Sequence, residues 1–360
     1  MSLRLQRALL GVLVFVVLAG LAARAATRIV PLVDRPGRCG YCSSVEAAFA
    51  AARESIDLLL SDAELEGNPL WDPLVSAAAR GVRVRALLDA SDWSSDITEG
   101  NRPALEYLCQ RGIEARFDDP AITTHAKLVV VDRRTVILGS SNWNPHAFYE
   151  QEQANVLVED ARVGEVFAAY FDRLWTGDLP EAGVTLDLGG FLGEGPLLVP
   201  LPEAPGTANY ARILGLLLGR AERSVHVVMY RASWYAEYRG SLSNEVLQAL
   251  IDAAARGLDV RVLLDDCAFF PDSAEANLEA ALFLHLHGVE VRFDDPTATT
   301  HAKLVIVDGE SVLLGSTNWN YYSLEKNHEV DLALINLPAV AEAYEQLFRA
   351  LWKSGRRLTE

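Results

Sequence analysis

The stretch RFDDPAITTHAKLVVVDRRTVILGSSNWN, Arg116 to Asn144, decides the fold, because it returns as RFDDPTATTHAKLVIVDGESVLLGSTNWN, Arg292 to Asn320, at an offset of 176 without a gap and with 21 of 29 positions identical. The chain is a duplicated domain. More than an apolar pattern repeats: His125, Lys127, Asp132, Gly139, Ser140 and Asn142 recur as His301, Lys303, Asp308, Gly315, Ser316 and Asn318. Two matched sets of polar groups point to one shared site.

The flanks repeat as well. AAARGVRVRALLD, starting at Ala77, is matched by AAARGLDVRVLLD, starting at Ala253, each with a glycine after a helix that ends in Arg, a normal C-terminal stop. The first half reads as helices over Ala47 to Arg53, Leu70 to Arg80 and Arg102 to Arg111, and as strands over Ser55 to Leu60, Val82 to Leu88 and Glu114 to Phe117. The second reads in the same order, with helices from Tyr210, Ser243 and Ala274 and strands from Ser224, Leu258 and Glu290. Strands alternating with helices imply an α/β fold with a mixed, largely parallel sheet covered by helices. Between the halves, Thr176 to Thr207 is rich in Gly, Pro and Leu and reads as a linker.

Within HAKLVVVD, the apolar run Leu128 to Val131 marks a buried strand, and its period of two puts His125 and Lys127 on one face. Asp132 has the opposite parity at the strand end, before a turn, so Asp132 and Asp308 read as turn and supporting residues rather than proton carriers. The next strand delivers Gly139, then Ser140 and Asn142, two apart. Doubled, this gives two imidazoles, two ammonium groups, two amides and two hydroxyls, a set suited to a phosphodiester with no metal or other cofactor. Lys127 and Lys303 would neutralise nonbridging oxygens, while Asn142, Asn318, Ser140 and Ser316 would bind the phosphate. One His would attack phosphorus, and the other would protonate the leaving alkoxide and then deprotonate water.

The spacing, HxK with Asp five residues beyond the Lys and then GSxN, resembles the signature of the phospholipase D superfamily over roughly residues 43 to 353. The resemblance implies two pseudo-symmetric α/β/α sandwich domains, 43–176 and 208–353, joined by 177–207 and packed around one active site. It also implies that His125 is the nucleophile and His301 the acid and base. After GSxN the copies diverge. Ser323 and Glu329 match the family's trailing Ser and acidic residue, and Glu329 is expected to orient His301 through its Nδ1 proton. In the first copy Ala147 and Gln153 stand there instead, so support for His125 falls to Glu152 through a bulge or to Gln153 itself. The two imidazoles should therefore differ in basicity. The Asp118-Asp119 and Asp294-Asp295 pairs look like metal ligands but precede Pro120 and Pro296, and read as turn formers. Trp143 and Trp319 suit packing as well as substrate contact.

The chain carries 49 Asp plus Glu against 32 Lys plus Arg, a formal net charge of −17. That balance disfavours a nucleic-acid substrate. Only four lysines occur, two of them Lys127 and Lys303. Near the start, Arg4 and Arg7 precede an apolar run from Ala8 to Ala23 and the pattern Ala23-Arg24-Ala25, so residues 1–26 resemble a signal peptide or signal-anchor and imply an exported protein. Cys39 and Cys42 form a CxxC, with Cys109 and Cys267 one in each half. Three pairings are open to four cysteines, and a local disulfide or plain thiols suit the CxxC better than a redox or zinc site.

These features lead to a phospholipase D-like phosphodiesterase acting at a membrane surface, with a phospholipid or another phosphodiester as substrate and no protein partner implied. A cardiolipin synthase-like phosphatidyltransferase, a metal-independent nuclease and a noncatalytic phosphate-binding protein are the alternatives. The segments that differ most between halves, Ser91 to Asn101 and Trp234 to Gly240, are the expected substrate loops.

Overall fold

The computed structural model describes residues 27–92, 94–178, 195–266 and 270–358. The signal-like segment 1–26 and Cys267 lie outside the described residues. The first half runs β1 (Arg28–Asp34), α1 (Gly40–Ala51), β2 (Ser55–Leu60), α2 (Trp71–Ala79), β3 (Arg83–Leu88), α3 (Ser95–Cys109), β4 (Glu114–Phe117), β5 (Lys127–Val131), β6 (Thr135–Gly139), α4 (Pro145–Tyr149), β7 (Gln151–Glu159) and α5 (Ala161–Thr176). The second follows as β8 (Leu197–Glu203), α6 (Asn209–Arg220), β9 (Ser224–Met229), α7 (Leu242–Ala255), β10 (Asp259–Leu264), α8 (Pro271–Leu286), β11 (Glu290–Phe293), β12 (Thr299–Thr300), β13 (Lys303–Val307), β14 (Ser311–Gly315), α9 (Tyr321–Glu325), β15 (Glu329–Ile335), α10 (Pro338–Ser354) and β16 (Arg356–Arg357).

Each half builds a mixed sheet. The first has the order β1-β7-β6-β5-β2-β3-β4, and the second β16-β11-β10-β9-β13-β14-β15-β8. Strands β2, β3 and β4 are parallel, as are β9, β10 and β11, while β5 and β13 run antiparallel to them and each reverses again in its motif hairpin into β6 or β14. The continuous apolar run of β5 reflects cover on both faces. Val129 and Val131 pack with residues of α1, α2 and α3, whereas Leu128 and Val130 join a core shared by both halves. That shared core includes Phe167 and Phe171 of α5 and Tyr344 and Phe348 of α10. Helix α5 packs on β8 and α10 on β1, so each half's last helix covers the other half's edge strand. Tyr170 and Tyr344 anchor this exchange by donating to the backbone carbonyls of Glu203 and Asn155 at 2.5 and 2.7 Å.

Two elements differ from the sequence expectation. The supposed linker contains β8, a full partner of β15, and β1 is its unanticipated counterpart beside β7. Both are edge strands carrying prolines, Pro31 in one and Pro200 and Pro202 in the other. Proline is tolerated at an edge but erases the usual strand signature. The expected loop from Ser91 to Asn101 is taken up from Ser95 onward by the first turns of α3. Cys39 and Cys42 form a disulfide at the head of α1, with Cys109 free and exposed. Among the described residues no helix is long and apolar enough to cross a membrane.

Candidate active site

Each catalytic histidine is delivered by one half and held by the other. Lys127 opens β5 opposite Leu60, and Lys303 opens β13 opposite Met229. The segment ahead of each lysine adds itself to the other half's strand. The His125 N–H donates to the His328 carbonyl at 2.9 Å, and the His301 N–H donates to the Glu152 carbonyl at 2.9 Å. The rings repeat the exchange: His125 Nδ1 lies 2.9 Å from Glu329 Oε2, and His301 Nδ1 lies 2.9 Å from the Ser140 carbonyl oxygen. Engaging Nδ1 leaves Nε2 as the nitrogen available for chemistry, and neither Nε2 has a hydrogen-bond partner among the described residues. Lys127 Nζ donates to the His125 carbonyl at 2.6 Å and Lys303 Nζ to that of His301 at 2.7 Å, and each lysine is 1% exposed. His125, Lys127, His301 and Lys303 thus converge on one centre.

The electrostatics are unequal. Burial pulls the His125 imidazole below its ordinary value, with Glu329 pushing back up and Lys127 and Lys303 pressing down. His301 sits well below the ordinary value through burial and the repulsion of Lys303, Lys127 and His125. The Ser140 carbonyl, rather than a carboxylate, pushes it back up. Burial alone would raise the Glu329 carboxyl, yet His125, Lys127 and the Ser316 hydroxyl hold it below the usual carboxylate range. Lys127 is lowered to about 8 by burial, against the attraction of Glu329, Asp62, Asp89 and Asp331.

This reverses one expectation. Glu329 orients His125, not His301, because β15 begins where the other half's His125 segment crosses it. Neither candidate for supporting His125 from its own half reaches it: Glu152 is held by Arg35 at 3.0 Å, and Gln153 bonds Ser140 Oγ at 2.6 Å and Gln151 at 2.7 Å. Gln153 stands to Ser140 as Glu329 stands to Ser316, so the missing carboxylate is missing on the His301 side.

The serines also differ from expectation. Ser140 and Ser316 each give their single hydroxyl proton to Gln153 or Glu329 and accept from the N–H of Ala154 or Val330, so these hydroxyls fasten the supporting strand rather than face a phosphate. Gly139 and Gly315 permit that approach, since a Cβ at either would come within 2.5 Å of the neighbouring strand. Asn142 and Asn318 have matching side-chain oxygens buried without a partner; an oxygen only accepts, so contact with a phosphate falls to their amide N–H groups. Asp132 and Asp308 lie at the far ends of β5 and β13, away from the lysines. There each accepts backbone N–H groups at the start of β2 or β9 at 2.7–3.0 Å, and both adopt positive φ. They are turn residues that do not join the site. Ser323 is buried in α9, its N–H donating to Asn320 at 2.9 Å.

Sequence reading missed several neighbours. The Tyr230 ring lies 4.6 Å from the His301 ring and 4.8 Å from Lys303 Nζ. Asp89 and Asp265 hold the loops leading to the two histidines through the N–H groups of Thr124 and Thr300 at 2.6 and 2.5 Å. Asp118 and Asp294, read from the sequence as turn formers, brace the neighbouring turns at Ala90 and Asp266. The strand ends, where AAARGVRVRALLD and its copy finish on Asp, carried that signal. Trp143 and Trp319 are fully buried and donate to Tyr41 and Tyr210 at 2.9 Å, which makes them packing residues.

The family described as "Cardiolipin synthase, PLD-like domain" matches residues 45–175 and 216–352. A mitochondrial cardiolipin hydrolase of Xenopus tropicalis is 30% identical over 162 residues, spanning 44% of this chain and 70% of its own length. Cardiolipin synthase A of Escherichia fergusonii is 24% identical over 313 residues, spanning 78% of this chain, which in turn covers 61% of the synthase. The crystal structure of phosphatidylserine synthase from Haemophilus influenzae shares the fold, with a TM-score of 0.72 at 12% identity over 92% of this chain and 87% of that one. Each matched segment falls within one half of the duplication, and the chain belongs to the phospholipase D-like family.

Proposed function

We propose that the chain is an exported phospholipase D-like phosphodiesterase that cleaves a phospholipid headgroup ester through a phosphohistidine. The observation that carries this reading is the reciprocal exchange across the centre: His125 on Glu329, and His301 on the Ser140 carbonyl. His125, with Nδ1 fixed and its basicity supported by Glu329, attacks phosphorus through Nε2. Lys127, Lys303, Asn142 and Asn318 stabilise charge gathering on the nonbridging oxygens. His301 protonates the departing oxygen, then takes a proton from the acceptor that releases the phosphoryl group. Water as acceptor gives hydrolysis, and a lipid alcohol gives phosphatidyl transfer. The names of the hydrolase and synthase relatives support both outcomes on cardiolipin-type lipids. The N-terminal apolar run and the Cys39–Cys42 disulfide favour an oxidising compartment.

The test is turnover, with EDTA present, of phosphatidylcholine, phosphatidylglycerol, cardiolipin and single-stranded DNA, with and without added glycerol as acceptor. Headgroup release from lipid, lost in His125→Ala, is the expected result. Cleavage of DNA alone would replace the lipid reading with a nuclease, and turnover of none would leave a phosphate-binding protein.

A further inference from the structure

The two strands that end at the centre deliver opposite charges to matching places. The pairing of Lys127 with Leu60 and of Lys303 with Met229 makes Asp62 and Arg231 counterparts, each two residues further along. Each backbone carbonyl accepts the N–H of its motif tryptophan, at 2.8 Å from Trp143 and 2.9 Å from Trp319. The matched backbone sets the two side chains in equivalent positions, each two residues past the partner of its lysine. Asp62 is settled there: Asn144 donates to it at 2.6 Å, and it attracts the Lys127 ammonium. Arg231 is not. Its Nε is buried without a hydrogen-bond partner, and its guanidinium forms no ion pair among the described residues. By contrast, the buried Arg85 is paired with both Asp57 and Asp172. A part-buried, unpaired guanidinium is costly unless a ligand completes it, and this one belongs to a chain of net charge −17.

The two lysines and two asparagines already suffice for one phosphate. We propose that Arg231 binds a second anionic group of the substrate, carried on the alcohol that departs on the His301 side, so that the site selects phosphodiesters whose leaving alcohol bears a further phosphate. Asp62 repels the same group from the opposite end and so sets the direction in which the diester lies. A planar guanidinium fork matches a phosphate in two-point contact. This rests on the proposed function, in which His301 protonates the leaving oxygen.

Cardiolipin, whose leaving alcohol carries a second phosphate, and phosphatidylglycerol, whose leaving alcohol is uncharged, are compared in neutral detergent micelles. Arg231→Gln lowers kcat/KM on cardiolipin about 30-fold, the size of a lost charge-assisted contact, and changes phosphatidylglycerol less than about 3-fold. An equal fall on both, or none on cardiolipin, overturns the proposal. Calorimetry provides a readout independent of turnover: the unmodified chain binds glycerol 1,3-bisphosphate about tenfold more tightly than glycerol 1-phosphate, and Arg231→Gln abolishes that preference. Absence of turnover on either lipid defeats the functional reading, and the calorimetric preference then decides for or against Arg231 by itself. Arg231→Lys, which keeps the charge without the fork, recovers part of the preference and separates recognition from misfolding.

Discussion

The two halves share a scaffold and differ in what they place around it. At the start of β15 the second half carries Glu329, bonded to Ser316 and reaching across to His125. At the matching place in β7 the first half carries Gln153, bonded to Ser140 and offering His301 no charge. Backbone scaffolding is symmetric down to the Asp132 and Asp308 turns and the Trp143 and Trp319 anchors. The difference teaches that duplication fixes where reactive groups stand, while unmatched neighbours decide which imidazole does what. A carboxylate behind His125 suits a nucleophile that must accept positive charge on its ring as it bonds to phosphorus. A bare carbonyl behind His301 suits a ring that stays weakly basic and gives up its proton readily.

The severest way to break this comparison is to remove one histidine at a time. His125→Ala and His301→Ala should each abolish turnover, by about 10⁴-fold or more, if both serve one phosphorus as proposed. Two independent half-sites would instead leave about half the activity in each variant, as steady-state assays would reveal.

Exchanging the supports sharpens it. Glu329→Gln should lower kcat by about 100-fold and push the His125 pKa further down, since the carboxylate is the group holding it up. Gln153→Glu should raise the His301 pKa with a smaller effect on rate. Imidazole titration by NMR checks both, and an unchanged His125 pKa in Glu329→Gln would contradict the assignment.

The pH profile gives a gentler test. His125 must be neutral to attack and His301, held well below its ordinary value, must be protonated to act as the acid, so kcat/KM should peak on the acid side of neutrality and fall as pH rises through the titration of these rings. Lys127 must be charged, and its pKa of about 8 means that the decline steepens there rather than near the ordinary lysine value of 10.5. A decline that does not steepen before pH 10 would exclude Lys127 as a titrating group.

The smallest expected effect on rate comes from the turns. Asp132→Ala should lower stability by about 2 kcal/mol, through loss of carboxylate contacts to backbone N–H groups, with kcat unchanged. Thermal melting together with assays at low temperature separates the two. A large loss of kcat in a folded variant would return Asp132 to the site.

Much of this was legible in the chain. The repeat marked the duplication, and the parity of HAKLVVVD placed each His beside its Lys and separated Asp132 from them. What the sequence hid depends on contacts between halves. Nothing local to Glu329 says that it serves an imidazole 204 residues away. The serine hydroxyls looked free because their partners lie 13 residues on, across a strand pair. Edge strands β1 and β8 were obscured by their prolines, and Tyr230 and Arg231 stood outside the repeated motif, where no match drew attention to them.

The central claim is a single centre with divided roles, and trapping the intermediate tests it most directly. Bis(p-nitrophenyl) phosphate has a leaving group that needs no proton, so His301→Ala should still be phosphorylated but should fail to activate water. Rapid-quench mass spectrometry should then find one nitrophenyl phosphoryl group per chain, on His125, with a matching burst of nitrophenolate and none in His125→Ala. An adduct on His301 in the His125→Ala chain, or adducts on both histidines of the unmodified protein, would contradict the account.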